Sequence, residues 1–126
     1  MEAYGHSKLA NLLHAKELAK RLENTGISVY ALHPGIIATD IGSDFVNKMS
    51  SCTAAIYTAI FKFTLKTPFH GAQTTLYCCL EDKIENESGN YYSGCRKINP
   101  QPEGQDMEQA KKLWEISEKL VGLNEQ

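Results

Sequence analysis

The chain has 126 residues, enough for one domain. Hydrophobic residues make up 42% and charged residues 22%, with a formal charge of −2, so no concentrated basic face points to nucleic acid. The cysteines at 52, 78, 79 and 95 lack the C-x-x-C spacing of a metal or redox site, and they read as small buried thiols in a reducing compartment.

From Ala3 to about Asn24 helix formers dominate. Leu9, Leu12, Leu13 and Leu22 recur at the spacing of one apolar stripe, Gly26 supplies a stop, and Lys16, Lys20 and Arg21 read as a solvated face. The run 27–33, Ile-Ser-Val-Tyr-Ala-Leu-His, is β-branched, aromatic and apolar at nearly every position before Pro34-Gly35 ends it. It fits a strand covered on both faces, as in a parallel sheet.

A further helix is predicted from Ser51 to about Leu65, with Ile56, Ile60 and Phe63 on one face. Its apolar part, Ala54 to Leu65, is interrupted by Thr58, Lys62 and Thr64 and falls short of the roughly 18 residues of a membrane span. Thr67-Pro68 predicts a helix start, since Thr caps and Pro suits the first helical position; Ala72, Leu76, Cys79 and Leu80 lie along that helix. Ser88-Gly89 turns into a short strand at 90–93. A loop with Pro100, Pro102 and Gly104 then leads to a last amphipathic helix at about 107–121, using Ala110, Leu113, Trp114, Ser117 and Leu120. Asn86-Glu87-Ser88 matches a glycosylation sequon, but Met1 is followed by polar residues rather than by a secretory signal, so the match carries little weight. Helix, strand, helices, short strand, helix is the alternation of an α/β layered fold, and two strands are too few for a complete doubly wound sheet.

Tyr4 and Lys8 stand four residues apart at the start of the first helix and share a face. A phenol ordinarily titrates near pH 10, and an ammonium one turn away favours its anion. Such a pair suits proton exchange with a carbonyl or an alcohol, the proton half of an alcohol/carbonyl interconversion. Tyr-x-x-x-Lys alone is only two fixed residues and is more often plain helix surface. Its surroundings make it specific. The stretch Tyr4-Gly5-His6-Ser7-Lys8-Leu9-Ala10-Asn11 is followed in order by His33-Pro34-Gly35-Ile36-Ile37-Ala38-Thr39, Thr67-Pro68 with Gly71-Ala72-Gln73-Thr74, and Ser88-Gly89-Asn90-Tyr91-Tyr92. The ordered set resembles the short-chain dehydrogenase/reductase family, and above all its retinol-dehydrogenase-like branch, over essentially the whole chain.

That resemblance implies an α/β fold: the C-terminal half of a Rossmann-like doubly wound parallel sheet, its last two strands with flanking helices. Residues 1–126 would be a partial NAD(P)-binding domain, holding the catalytic helix and the substrate-side segment without the nucleotide-binding N-terminal half. Tyr4 is implied as catalytic acid/base, and Lys8 as its partner and a ligand of the nicotinamide ribose. Pro34 and Gly35 are implied as the turn beneath the nicotinamide, Ile37 as a backbone contact to the carboxamide, and Thr39 as a nearby hydroxyl. Pro-Gly is also an ordinary strand-ending turn, and Thr39 reads equally well as a cap. No metal is implied. The cofactor is NADP or NAD and the substrate a lipophilic alcohol or aldehyde, such as a retinoid. A homo-oligomer through the Tyr4-bearing helix is implied, with no nucleic acid partner. The implied location is intracellular, either cytoplasmic or at the membrane of the endoplasmic reticulum or another organelle. No G-x-G-x-x-G turn occurs in the sequence, so the alternative expectation is a catalytically inactive piece that acts at most as an interaction or dimerisation module.

Overall fold

The computed structural model describes residues 2–37 and 66–123, so the predicted helix at 51–65, with Cys52, lies outside the described residues. Helix α1 spans Glu2–Arg21, strand β1 Ala31–His33, helix α2 Pro68–Leu80, strand β2 Tyr91–Ser93, strand β3 Lys97–Ile98 and helix α3 Met107–Leu120. Short 3₁₀ turns at Asp82–Ile84 and Pro102–Gln105 complete the described elements. The architecture is mixed α/β.

The sheet runs β1-β2-β3. β1 pairs with β2 in parallel, Ala31 opposite Tyr91 and His33 opposite Ser93, as the resemblance implies. β3, however, pairs antiparallel to β2, so the sheet is mixed rather than purely parallel and has three strands rather than two. A ladder of two residues carries no alternation of its own in sequence; it forms because a two-residue turn folds it back on β2.

The expected strand at 27–33 shortens to its last three residues. Val29 instead donates its N–H to the Ser88 hydroxyl (3.0 Å) and accepts from the Gly89 N–H (2.7 Å), while Ser28 donates to the Glu85 carbonyl (2.9 Å). These bonds satisfy the backbone without a ladder. His33 is exposed, and among the described residues the β1 edge away from β2 is unpaired, so the strand is not covered on all sides.

Thr67 caps α2 as predicted, its hydroxyl accepting from the His70 N–H, with Pro68 in the first turn. The side chains α2 buries are not the apolar ones. Gly71 and Thr74 are inside, whereas Leu76 is 47% and Leu80 74% exposed. Gly71 is there because the side chain of Ile37 occupies the place of a Cβ; an added methyl would collide with Ile37 Cδ1 and Cγ1. Asp106 caps α3 with bonds of 3.0 Å to the N–H groups of Glu108 and Gln109. α3 packs along α1 through buried Ala110 and half-buried Leu113, Trp114 and Ser117, whereas Leu120 faces outward.

At this helix pair the basic residues depart from a purely solvated face. Arg21 bonds Glu17 (2.8 Å), reaches Glu118 (3.6 Å) and lies 4.5 Å from the Trp114 ring centroid. Glu17 is buried, and its second carboxylate oxygen has no hydrogen-bond partner among the described residues. Lys16 donates to the Gly89 carbonyl at 3.4 Å; Lys20, like Arg21, is exposed. The cysteines depart as well, since Cys79 and Cys95 are exposed and Cys78 half-buried.

Candidate active site

The first turns of α1 project Tyr4 and Lys8 from one face. The Lys8 ammonium stands 5.3 Å from the centre of the Tyr4 ring, and Tyr4 is 70% exposed. Ser7 donates to the Tyr4 carbonyl at 2.8 Å, a bond that closes the first turn beneath the phenol. Where β1 ends, Pro34 removes a donor and Gly35 takes φ +92°, a conformation L side chains avoid. A Cβ there would also meet the Lys66 side chain at 3.1–3.2 Å, so the backbone at Gly35 is bare on one side and braced by Lys66 on the other.

Tyr4, Lys8, Pro34 and Gly35 line one groove of about 1100 Å³ between α1 and the sheet, which Tyr91 and Ile98 of the hairpin and Gln101 also line. A phenol, an ammonium and a bare backbone turn thus face a common space. That set can hold a planar polar ring against the turn and exchange a proton with an oxygen at the phenol.

The two other expected residues stand differently. Thr39 lies outside the described residues. Ile37 does not line the groove; its side chain packs on Gly71, and its backbone forms a parallel bridge to Lys66, in which the Lys66 N–H donates to the Ile36 carbonyl at 2.9 Å. Two residues were not anticipated. Asn11 lines the groove, and its spacing of seven from Tyr4, one further turn along the same face, was a usable signal. Lys66 had none, because only a bridge across a long segment brings it to Gly35.

Tyr92 is wholly buried and donates to a Glu87 carboxylate oxygen at 2.7 Å; burial, that bond and the carboxylate charge hold its hydroxyl well above the ordinary tyrosine range. Burial likewise raises Tyr77 and the Cys78 thiol. Among the described residues, no three His, Cys, Asp or Glu side chains gather as metal ligands, and no helix is long and apolar enough to cross a membrane.

No family model matches the chain. Individual proteins do. Mouse retinol dehydrogenase 12 is 39% identical over 121 residues, 96% of this chain and 36% of its own length. Human retinol dehydrogenase 14 is 39% identical over 120 residues, 95% of this chain and 35% of its own. Bovine dehydrogenase/reductase SDR family member 13 is 40% identical over 123 residues, 98% of this chain and 32% of its own. The chain therefore spans about a third of the length of the curated relatives it matches. With a helix-borne Tyr–Lys pair facing a Pro-Gly turn at a strand end, it belongs to the short-chain dehydrogenase/reductase family. Within that family it is retinol-dehydrogenase-like.

Proposed function

We propose that residues 1–126 are the catalytic-helix and substrate-side part of a Rossmann-like, NAD(P)-dependent oxidoreductase that interconverts lipophilic alcohols and carbonyls, retinoids among them. The observation that carries this reading is the convergence of Tyr4, Lys8, Pro34 and Gly35 on one groove. The names of the relatives support the oxidoreductase class and the lipophilic substrate.

The residues present fit the nicotinamide end of such a cofactor, since Gly35 has no side chain of its own and lines the groove with Tyr4 and Lys8, while Lys66 lies against the place its Cβ would take. When bound, the nicotinamide supplies or accepts the hydride. The rest falls to this chain. Tyr4 holds the proton that passes to or from the substrate oxygen, and Lys8, 5.3 Å from its ring, keeps positive charge beside the phenol and hydrogen-bonds the ribose. Pro34 and Gly35 would set the floor beneath the ring; Ile37, which packs on Gly71 and does not line the groove, and Thr39, outside the described residues, are assigned to its carboxamide side by the family resemblance alone. The diphosphate requires a glycine-rich turn that this sequence lacks, and a complementary nucleotide-binding half would supply it. In this reading the assembled enzyme is intracellular, in the cytoplasm or on the membrane of an organelle.

The test joins the chain to a nucleotide-binding half and assays reduction of a long-chain aldehyde and of retinal. Tyr4→Phe should abolish nearly all turnover and leave dinucleotide affinity within about twofold, because the ring still packs while the transferable proton is gone. Retained turnover would remove Tyr4 from the acid/base role.

A second reading is that the chain acts as a docking module, by dimerisation or on a whole enzyme. The observation that favours it is the apolar groove of about 260 Å³ between α1 and α3, lined by Leu9, Leu13, Leu113 and Ile116. Self-association of the chain, lost in Ile116→Asp, would support it over the first reading.

A further inference from the structure

The hairpin between β2 and β3 turns on Gly94 and Cys95, both left-handed, with φ +60° and +57°. The Ser93 N–H closes it by donating to the Arg96 carbonyl at 3.0 Å. Such a turn favours glycine at its second position, where an L side chain is disfavoured. Cys95 is held there from outside the hairpin, because its N–H donates to the hydroxyl of Thr74, which is buried on α2, at 3.4 Å.

Thr74 and Cys78 are one helical turn apart, which puts their Cβ atoms about 5–6 Å from each other on one face of α2. The hairpin tip is therefore pinned to the same strip of helix that carries Cys78. Cys79 is turned about 100° away around the helix and is exposed. The electrostatics agree with this placement. Burial raises the Cys78 thiol, with Cys79 and then Cys95 adding to it, and both Cys78 and Cys95 push the neighbouring Tyr77 hydroxyl upward.

We infer that Cys78 and Cys95 form a redox-sensitive pair whose disulfide staples helix α2 to the tip of the β2–β3 hairpin. Both thiols are free in this structure, and closing the bond brings their Cα atoms to about 4.4–6.8 Å. The oxidant is a small disulfide such as oxidised glutathione. Exposed Cys95, as thiolate, attacks one sulfur of the glutathione disulfide, and the other glutathione leaves as thiolate. Cys78, as thiolate, then attacks the Cys95 sulfur and the second glutathione leaves. The two protons shed by the cysteines end on the two glutathione thiolates, so the pair loses two electrons and the glutathione disulfide gains them. The bond would act on the groove wall, because the hairpin carries Tyr91 and Ile98, which line the groove with Tyr4.

The test incubates the full chain with oxidised glutathione, alkylates the remaining thiols and digests with trypsin without reduction. Oxidation joins the peptide 67–83, which holds Cys78 and Cys79, to the peptide 84–96, which holds Cys95, at two hydrogens below their summed mass plus the alkyl group on the one cysteine left free. We expect that species in the parent chain and in Cys79→Ser, forming roughly tenfold faster in buffer than in guanidinium chloride, since folding raises the effective concentration of one thiol at the other. It should be absent from Cys78→Ser. Glutathione left on Cys95 with no cross-link in the parent chain would overturn the inference. So would a bond that persists in Cys78→Ser, a bond to Cys52, or equal rates in buffer and denaturant.

Discussion

The Trp114 indole lies nearly flat on the His14 imidazole, with ring centroids 5.0 Å apart and planes inclined by 18°. Arg21 caps the same indole at 4.5 Å, so the only tryptophan of the chain ties α1 to α3 in two ways, while its N–H donates to Glu118 on its own helix. Trp114→Ala should cost about 2–3 kcal/mol of unfolding free energy. Trp114→Phe, which keeps the stack and loses only the N–H, should cost about 1 kcal/mol. Urea unfolding followed by far-ultraviolet circular dichroism gives both values. An alanine variant within about 0.5 kcal/mol of the parent would mark the contact as ordinary surface.

Gly71→Ala drives a methyl into Ile37 Cδ1 and should destabilise by about 1–3 kcal/mol. Shortening the partner with Ile37→Ala makes room, so the double variant should be more stable than the sum of the two single losses. A purely additive cycle would show that the two residues do not share this space in solution.

Lys8 is given two tasks, charge beside the phenol and a bond to the cofactor ribose. In the chain joined to a nucleotide-binding half, Lys8→Ala should lower kcat and raise the dinucleotide KM together, with a loss of roughly 10²-fold or more in kcat/KM. Lys8→Arg keeps the charge and should recover part of kcat. A change confined to KM would leave Lys8 as a binding residue alone.

Tyr92 makes stability depend on alkaline pH. Its folded pKa lies above the unfolded value of about 10, so the native state favours the protonated phenol. That contribution is complete below about pH 10 and is lost as pH rises from there toward the folded value. Tyr77 is displaced the same way by burial, so Tyr92→Phe should flatten the decline in part, not wholly. Thermal melts between about pH 8 and 11 measure it; a slope unchanged in Tyr92→Phe would assign the decline to other groups.

The helices were legible because their ends are written in side chains. Thr67 before Pro68 fixed the start of α2, and the stripe through Ala110, Leu113 and Trp114 fixed the inner face of α3. The run from Ile27 promised a longer strand than forms, since propensity cannot foresee that Ser88 and Gly89 will take the bonds of Val29. α2 was read from its apolar residues, yet close approach to Ile37 and the bond to Cys95 decide what it buries, and both partners are distant in sequence. The Tyr4–Lys8 pair was local and therefore visible. The brace of Lys66 on Gly35, and the turning of Ile37 away from the groove, depend on the fold between them.

Helix α1 is held unevenly. Leu13, Glu17 and Ala19 are buried, whereas every residue from Glu2 to Lys8 is exposed. From Arg21 to Tyr4 the helix rises about 26 Å, a long arm measured from the Arg21–Trp114 contact. A tilt of only about 2° at that contact carries the phenol through about 1 Å, a displacement large enough to cost a proton transfer much of its rate. In the proposed reaction, residues that do not line the groove, Trp114 and Glu118 first among them, would therefore set the angular tolerance of Tyr4.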